Sequence, residues 1–350
     1  MPKERYYATK VNGFITVCIV FLITACQQFS QPDLQTGSIQ HQPNYIAGTK
    51  EDGFTAIMVA YAPELNGILS TLESLPNAHI DRTITVKGVT YRLGRYNDQP
   101  IIIFATGMSI ANAAMTTQMA LDYFPIDEVV YMGIAGAINP RWHPGDVIIP
   151  ERWYYHDESV YSNPSPGQAG QYIVPNYYQK MLDELPAKRA ADPNIPNYKP
   201  FEFVHPDHVV VIKDGQEKPV DTPYFSASPR LLAAARQAIS TMPPRLILDK
   251  RRAEFTVGGN GVTGSVFLDN RAYRQWVREV FHAEVTEMES AGVGQVCYVN
   301  DTEWMIIRAI SDLAGGQEGV NEEDIYDEEV SRVGAEVLFA VLEQLTSQAE

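Results

Sequence analysis

From Phe54 onward, short apolar runs alternate with longer helix-forming runs, and this alternation constrains the fold more than any other feature. FTAIMVAYA (54–62), ITVKGVTYRLGRY (84–96), PIIIFATG (100–107), DEVVYMGIAGAI (127–138) and GDVIIP (145–150) read as strands, with the small-residue helix SIANAAMTTQMALDYF (109–124) among them. The rhythm returns with AEFTVGG (253–259), a helix near 270–281, AEVTEME (283–289), a helix to about 299, the strand WMIIRAIS and a last helix near 322–346. Strands interleaved with helices predict an α/β domain with a substantially parallel sheet. The stretch 160–250 is rich in Pro, Asn and Tyr and breaks the rhythm. It holds one strand-like run, HVVVIK (208–213), and one helix-like run, SPRLLAAARQAIS (228–240), and reads as an insertion on the same domain. No internal repeat or coiled coil is visible.

The N-terminus has a different character. Lys3, Arg5 and Lys10 precede the uncharged apolar run GFITVCIVFLIT (13–24), which ends in ITAC (23–26). A basic segment, a short apolar segment and a small residue form the layout of a secretory signal. The run is too short to favour a permanent membrane span. ITAC resembles a bacterial lipobox, which implies cleavage after Ala25 and lipid on Cys26; the plainer alternative is a signal or anchor with an incidental cysteine. The chain therefore divides into a lipoprotein-type signal (1–26), a polar tether (27–52) and one domain (53–348), and the expectation is an exported protein anchored to a membrane only through its N-terminal lipid. Once Cys18 leaves with the signal and Cys26 is modified, Cys297 is the one remaining thiol and no intrachain disulfide can form. Cys297 lies in the apolar run AGVGQVCYV, which favours a buried structural thiol over a nucleophile.

The formal net charge is −16, from 27 basic and 43 acidic side chains in 350 residues. Duplex binding needs a basic face, so a nucleic-acid partner is not expected. Polar residues close several of the apolar strands: Glu64, Thr106, Glu289 and Arg308 through Asp312. Open parallel sheets bind ligands beyond the carboxyl ends of their strands, so these side chains are placed to converge on one pocket. Gly107, Gly133, Gly136 and Gly264 beside them let a ligand approach the backbone. GIAG (133–136) lacks the GxGxxG spacing, no GxxxxGK[ST] is present, and neither HExxH nor paired CxxC occurs. Nicotinamide enzymes and P-loop NTPases are disfavoured, and neither a cofactor nor a metal is suggested.

Residues 106–150, TGSVFLDN (263–270) and TEMESAGVGQVCYVNDTEWMIIRAISDLAGG (286–316) resemble the nucleoside phosphorylase superfamily, and within it the 5′-methylthioadenosine/S-adenosylhomocysteine nucleosidases. The C-terminal block and the insertion also resemble the plant bark storage proteins. The resemblance implies a three-layer α/β/α domain with a mixed, largely parallel central sheet, and a purine nucleoside as ligand. It implies that Asp312 protonates the purine at N7, that Glu64 activates a water, and that Arg308 and Thr106 surround that water. Glu289 would accept hydrogen bonds from the ribose hydroxyls, Met288 would pack under the sugar, Phe267 would stack on the base and the Leu268 backbone would read its edge, with Gly107 and Gly136 close to the ligand. Cleaving the glycosidic bond builds positive charge on the ribose and negative charge on the base, so a carboxylate at the sugar and an acid at the base are what the chemistry requires. His156 and Asp157, after a further strand, are placed at the rim.

Each residue taken singly has a plainer reading. An isolated carboxylate is usually a solvated surface charge, Arg308 suits a structural ion pair with Asp312 or Glu289, and Phe267 suits the core. Joint placement at strand ends is what favours the pocket. Phosphorolysis needs cationic or hydrogen-bonding groups for phosphate. PIIIFATG carries no Arg or Lys where phosphorylases of the family's hexameric branch usually have an arginine, which favours water over phosphate as the nucleophile. Ser265 stands where the family's nucleosidases carry an aspartate, which weakens an adenine-specific reading. Three readings follow: an exported purine nucleoside N-ribohydrolase, a phosphorylase, and a non-catalytic nucleoside-binding or storage protein. The family resemblance also implies a homo-oligomer.

Overall fold

The computed structural model describes residues 45–49, 53–247, 251–321 and 323–347. The expected signal with Cys26, and all of the tether except residues 45–49, lie outside the described residues. Strand Phe54–Val59 runs parallel to Gln99–Ala105 on one side and to Ile126–Ala137 on the other. Ile126–Ala137 is parallel in turn to Glu303–Asp312, with Gly133 opposite Arg308. At its far end it pairs antiparallel with Ala283–Glu287, which is parallel to Asn260–Thr263, itself parallel to Arg152–Tyr155. The hairpin Ala78–Val86 and Val89–Tyr96 closes the other edge in antiparallel fashion. Glu303–Asp312 also pairs antiparallel with Val147–Ile149, which lies parallel to Phe255–Val257. The sheet is mixed with a largely parallel centre, as the alternating runs imply.

Side chains alternate across this sheet, which explains why its strands read as unbroken apolar runs. Ile57, Val59, Ile101, Ile103, Val130, Met132, Met305 and Ile307 enter one core layer, with helices Ala62–Ser74, Pro229–Thr241 and Glu323–Ser347. Their neighbours Ala56, Met58, Ile102, Phe104, Val129, Tyr131, Trp304 and Ile306 enter the opposite layer, with helices Ile110–Tyr123 and Ser290–Val299. Each large apolar side chain so buried contributes on the order of 1.5–3 kcal/mol. Helix Arg271–Phe281 covers a third cluster through Trp276, Val277 and Val280.

Some elements go beyond the expected runs. Helix Ala62–Ser74 opens on Pro63 and packs its Gly67 against the Ser331 backbone, where a Cβ would stand 3.0 Å away. Asn66 and Gly67 dilute its apolar pattern, so the periodic signal is weak. Within the stretch 160–250, helix Pro229–Thr241 buries Leu231, Leu232, Ala234 and Ala235 in the same core as the final helix. Helix Asn176–Ala191 instead forms a small separate cluster, with Tyr178, Met181 and Tyr198.

Candidate active site

The carboxyl ends of Phe54–Val59, Ile126–Ala137, Ala283–Glu287 and Glu303–Asp312 surround one cavity. Of the residues expected at the site, Glu64, Gly136, Phe267, Leu268, Met288, Glu289 and Asp312 line it. Met108, Val266 and Phe267 form an exposed apolar stretch of its wall.

Glu64 stands in the first turn of helix Ala62–Ser74 and is only 1% exposed. Its Oε2 accepts from the Ala60 amide at 2.7 Å and its Oε1 accepts from the Ile134 amide at 2.8 Å, so two strand ends hold one carboxyl group. Burial, opposed by Arg308 and reinforced by Glu289, pushes this carboxyl up to about 8. A carboxyl group that titrates near neutrality is suited to accepting a proton from water.

Glu289 is the residue immediately before helix Ser290–Val299, and its side chain makes no capping bond to that helix. Its Oε1 accepts from the Ser109 amide at 2.7 Å and its Oε2 from Arg308 at 3.4 Å. Burial first, then the Glu287 charge, raises its proton affinity. Ser109 adopts φ 81°, left-handed backbone that a serine rarely takes and that is often retained at ligand sites. This conformation presents its amide to Glu289.

Arg308 is completely buried and does not line the cavity. It donates to Glu287, to Ser290 Oγ at 2.8 Å and to the Ile134 carbonyl at 3.1 Å, and its guanidinium lies 5.0 Å from the Tyr131 ring centre. The ion pair that forms is therefore with Glu287 and Glu289, and Asp312 has other partners. Asp312 Oδ2 accepts from Ser311 Oγ at 2.9 Å, and Oδ1 accepts from the Ala314 amide at 2.8 Å.

Thr106 and Gly107 are likewise behind the wall. Thr106 Oγ1 bonds the Gly107 carbonyl at 2.8 Å and meets Tyr131 Oη at 3.2 Å, while Gly107 takes φ +83° to turn the chain into helix Ile110–Tyr123. Neither lines the cavity. His156 and Asp157 anchor the segment that carries Phe267. His156 is buried beneath Gly264 with Nδ1 3.2 Å from Tyr273 Oη, and Asp157 accepts from the Ser265 amide at 2.6 Å. Leu268 is buried, whereas Phe267 is 57% exposed and presents its ring at the mouth.

Sequence reasoning gave no role to Glu287, Ser290, Ser109 or Tyr131. For Glu287 a signal existed: a second glutamate two residues before Glu289, at the end of a buried strand, needs a buried cation. Burial pushes the Cys297 thiol up, in keeping with a structural role. Among the described residues, no group of three or more His, Cys, Asp or Glu side chains is arranged to hold a metal ion.

Residues 55–347 match the Phosphorylase superfamily. The chain is 27% identical over 258 residues to a 5′-methylthioadenosine/S-adenosylhomocysteine nucleosidase of Geobacillus kaustophilus, covering 73% of this chain and 85% of that protein. It is 25% identical over 237 residues to the corresponding protein of Bacillus pumilus, covering 67% and 78%. Among solved structures, the fold is similar to futalosine hydrolase of Helicobacter pylori, with TM-score 0.59 and 17% identity over 85% of this chain and 100% of that one. It is also similar to the nucleosidase of Colwellia psychrerythraea in complex with adenine, with TM-score 0.58 and 22% identity over 84% and 96%. With residues 55–347, nearly the whole domain, matched by the family model, this chain belongs to the phosphorylase superfamily.

Proposed function

We propose that this protein is a nucleosidase that hydrolyses the N-glycosidic bond of purine nucleosides. Asp312 passes a proton to N7 of the base as the bond from the sugar carbon to the base nitrogen breaks. The oxygen of a water bonds that carbon, and Glu64 takes the proton the water loses. Glu289 holds the ribose hydroxyls and favours the developing positive charge. Phe267 stacks on the base and Met288 packs under the sugar. The two sequence relatives reported above, both named 5′-methylthioadenosine/S-adenosylhomocysteine nucleosidase, support the reaction class.

One observation carries the choice of water over phosphate. The described residues lining the cavity include Glu64, Glu287, Glu289 and Asp312 but no Lys, Arg or His. Arg308, the cation behind them, is spent on Glu287, Glu289, Ser290 and a carbonyl. A phosphate would enter a wall of carboxylates with no free counter-charge.

The test is release of free base by the purified full chain from adenosine, inosine, guanosine and methylthioadenosine, each with and without phosphate, beside an Asp312→Asn control. Release without phosphate, lost in the control, supports the nucleosidase. Release only with phosphate makes the protein a phosphorylase, and binding without release makes it a nucleoside-binding or storage protein. The reading extends to location: lipid on Cys26 of an exported chain would place the enzyme where extracellular nucleosides are salvaged. A fatty-acid label lost in Cys26→Ala tests that. It also extends to assembly, since the exposed apolar Met108, Val266 and Phe267 suit cover by a second copy, which light scattering tests.

A further inference from the structure

Two carboxylates and one guanidinium meet beside the cavity, and they do not share charge equally. Arg308 Nη2 donates to Glu287 Oε2 at closer range than to Glu289 Oε2, which stands at 3.4 Å. Glu287 gathers further donors: Thr263 Oγ1, the Glu289 amide at 2.9 Å, and the Ser290 amide and hydroxyl, both at 2.9 Å. Ser290 Oγ also accepts from Arg308 at 2.8 Å, so it bridges the pair. The guanidinium cannot swing further toward Glu289 without leaving Ser290, Glu287 and the Ile134 carbonyl.

We propose that Glu287 is a positioning residue: by taking the closer bond from Arg308, it holds the guanidinium to a single long contact with Glu289 and leaves the rest of that carboxylate available to ligand hydroxyls. This rests on the reading of Glu289 as the sugar-binding carboxylate. A bidentate grip by Arg308 would occupy the lone pairs that a sugar needs. The groups facing Glu289 are Glu287 on its own segment, Arg308 on strand Glu303–Asp312, Glu64 on helix Ala62–Ser74, Tyr131 on strand Ile126–Ala137 and the Ser109 amide. Of the charges among them, Glu287 contributes the largest upward push on Glu289, and Arg308 pulls the other way.

The test needs no ligand, so it stands apart from the proposed reaction. The full chain, labelled with carbon-13 at the glutamate side-chain carboxyl, is titrated in wild type, Glu287→Gln and Ser290→Ala, with Glu289→Gln to assign the signal. Glu287→Gln removes the like charge and frees Arg308 to turn to Glu289, so the Glu289 midpoint falls by about one pH unit or more, and Ser290→Ala, which keeps the Glu287 charge, isolates the part that comes from Arg308. Ser290→Ala leaves both charges in place and loosens the bridge, so the midpoint falls by less. The milder variant keeps the proposal testable even where Glu287→Gln does not fold. A midpoint that stays fixed or rises in the folded variants overturns the proposal. If the midpoint moves as expected but no nucleoside binds, the reading of the cavity fails while the role of Glu287 toward Glu289 stands.

Discussion

Arg308 and Gly133 face each other across neighbouring parallel strands, and the guanidinium of one occupies the space a side chain on the other would need. A Cβ on Gly133 would overlap Arg308 Nη1 and would lie 2.6 Å from Glu64 Oε1. The glycine thus brings the buried cation and the carboxyl of Glu64 to one place. Gly133→Ala is expected to cost about 1–3 kcal/mol of stability through overpacking, and to lower turnover by displacing Glu64. Thermal denaturation and kcat/KM measured on the same preparation check both effects.

Asp312→Asn removes the proton donor to the base while keeping the shape of its side chain. The expected loss in kcat is about 10²–10⁴-fold, typical of a general acid, with little change in KM. A kcat within a factor of a few of wild type would remove Asp312 from the chemistry.

Glu64 must be ionised to accept a proton, and its carboxyl titrates at about 8. The profile of kcat/KM should therefore rise with pH until about pH 8, and Glu64→Gln should abolish that limb. Stability runs the other way. With a folded value raised above its ordinary 4.5, Glu64 contributes fully below pH 4.5 and loses that contribution as pH rises through about 8. The Tm advantage of wild type over Glu64→Gln is expected to shrink between mildly acidic and mildly alkaline buffer.

Phe267 offers an exposed ring at the mouth, so its contribution is to binding the base. Phe267→Ala should weaken affinity by about 1–3 kcal/mol, the scale of one base stacked on an aromatic. The effect belongs in KM, with kcat largely kept. Initial-rate kinetics across substrate concentrations separate the two.

Breaking the buried ion pair is a different matter. Arg308→Met leaves Glu287 and Glu289 side by side without their cation, and the expected cost is about 3–5 kcal/mol. Chemical denaturation measures it. A near-neutral result would mean that the carboxylates find another partner.

The sequence alone determined the α/β class and marked Glu64, Glu289 and Asp312 at the ends of apolar strands. Those features are local: a run of apolar residues buried on both faces is legible in one dimension, and so is the polar residue that stops it. The tertiary structure decided how these ends divide the work. Arg308 and Thr106 read as pocket residues in sequence, yet they lie behind the wall, because the register of Glu303–Asp312 against Ile126–Ala137 points Arg308 toward Gly133, Glu287 and Ser290. Asp157 meets Ser265, and Ser109 meets Glu289, across separations of 108 and 180 residues. No sequence period records such meetings, since they depend on how strands from distant parts of the chain are ordered in the sheet.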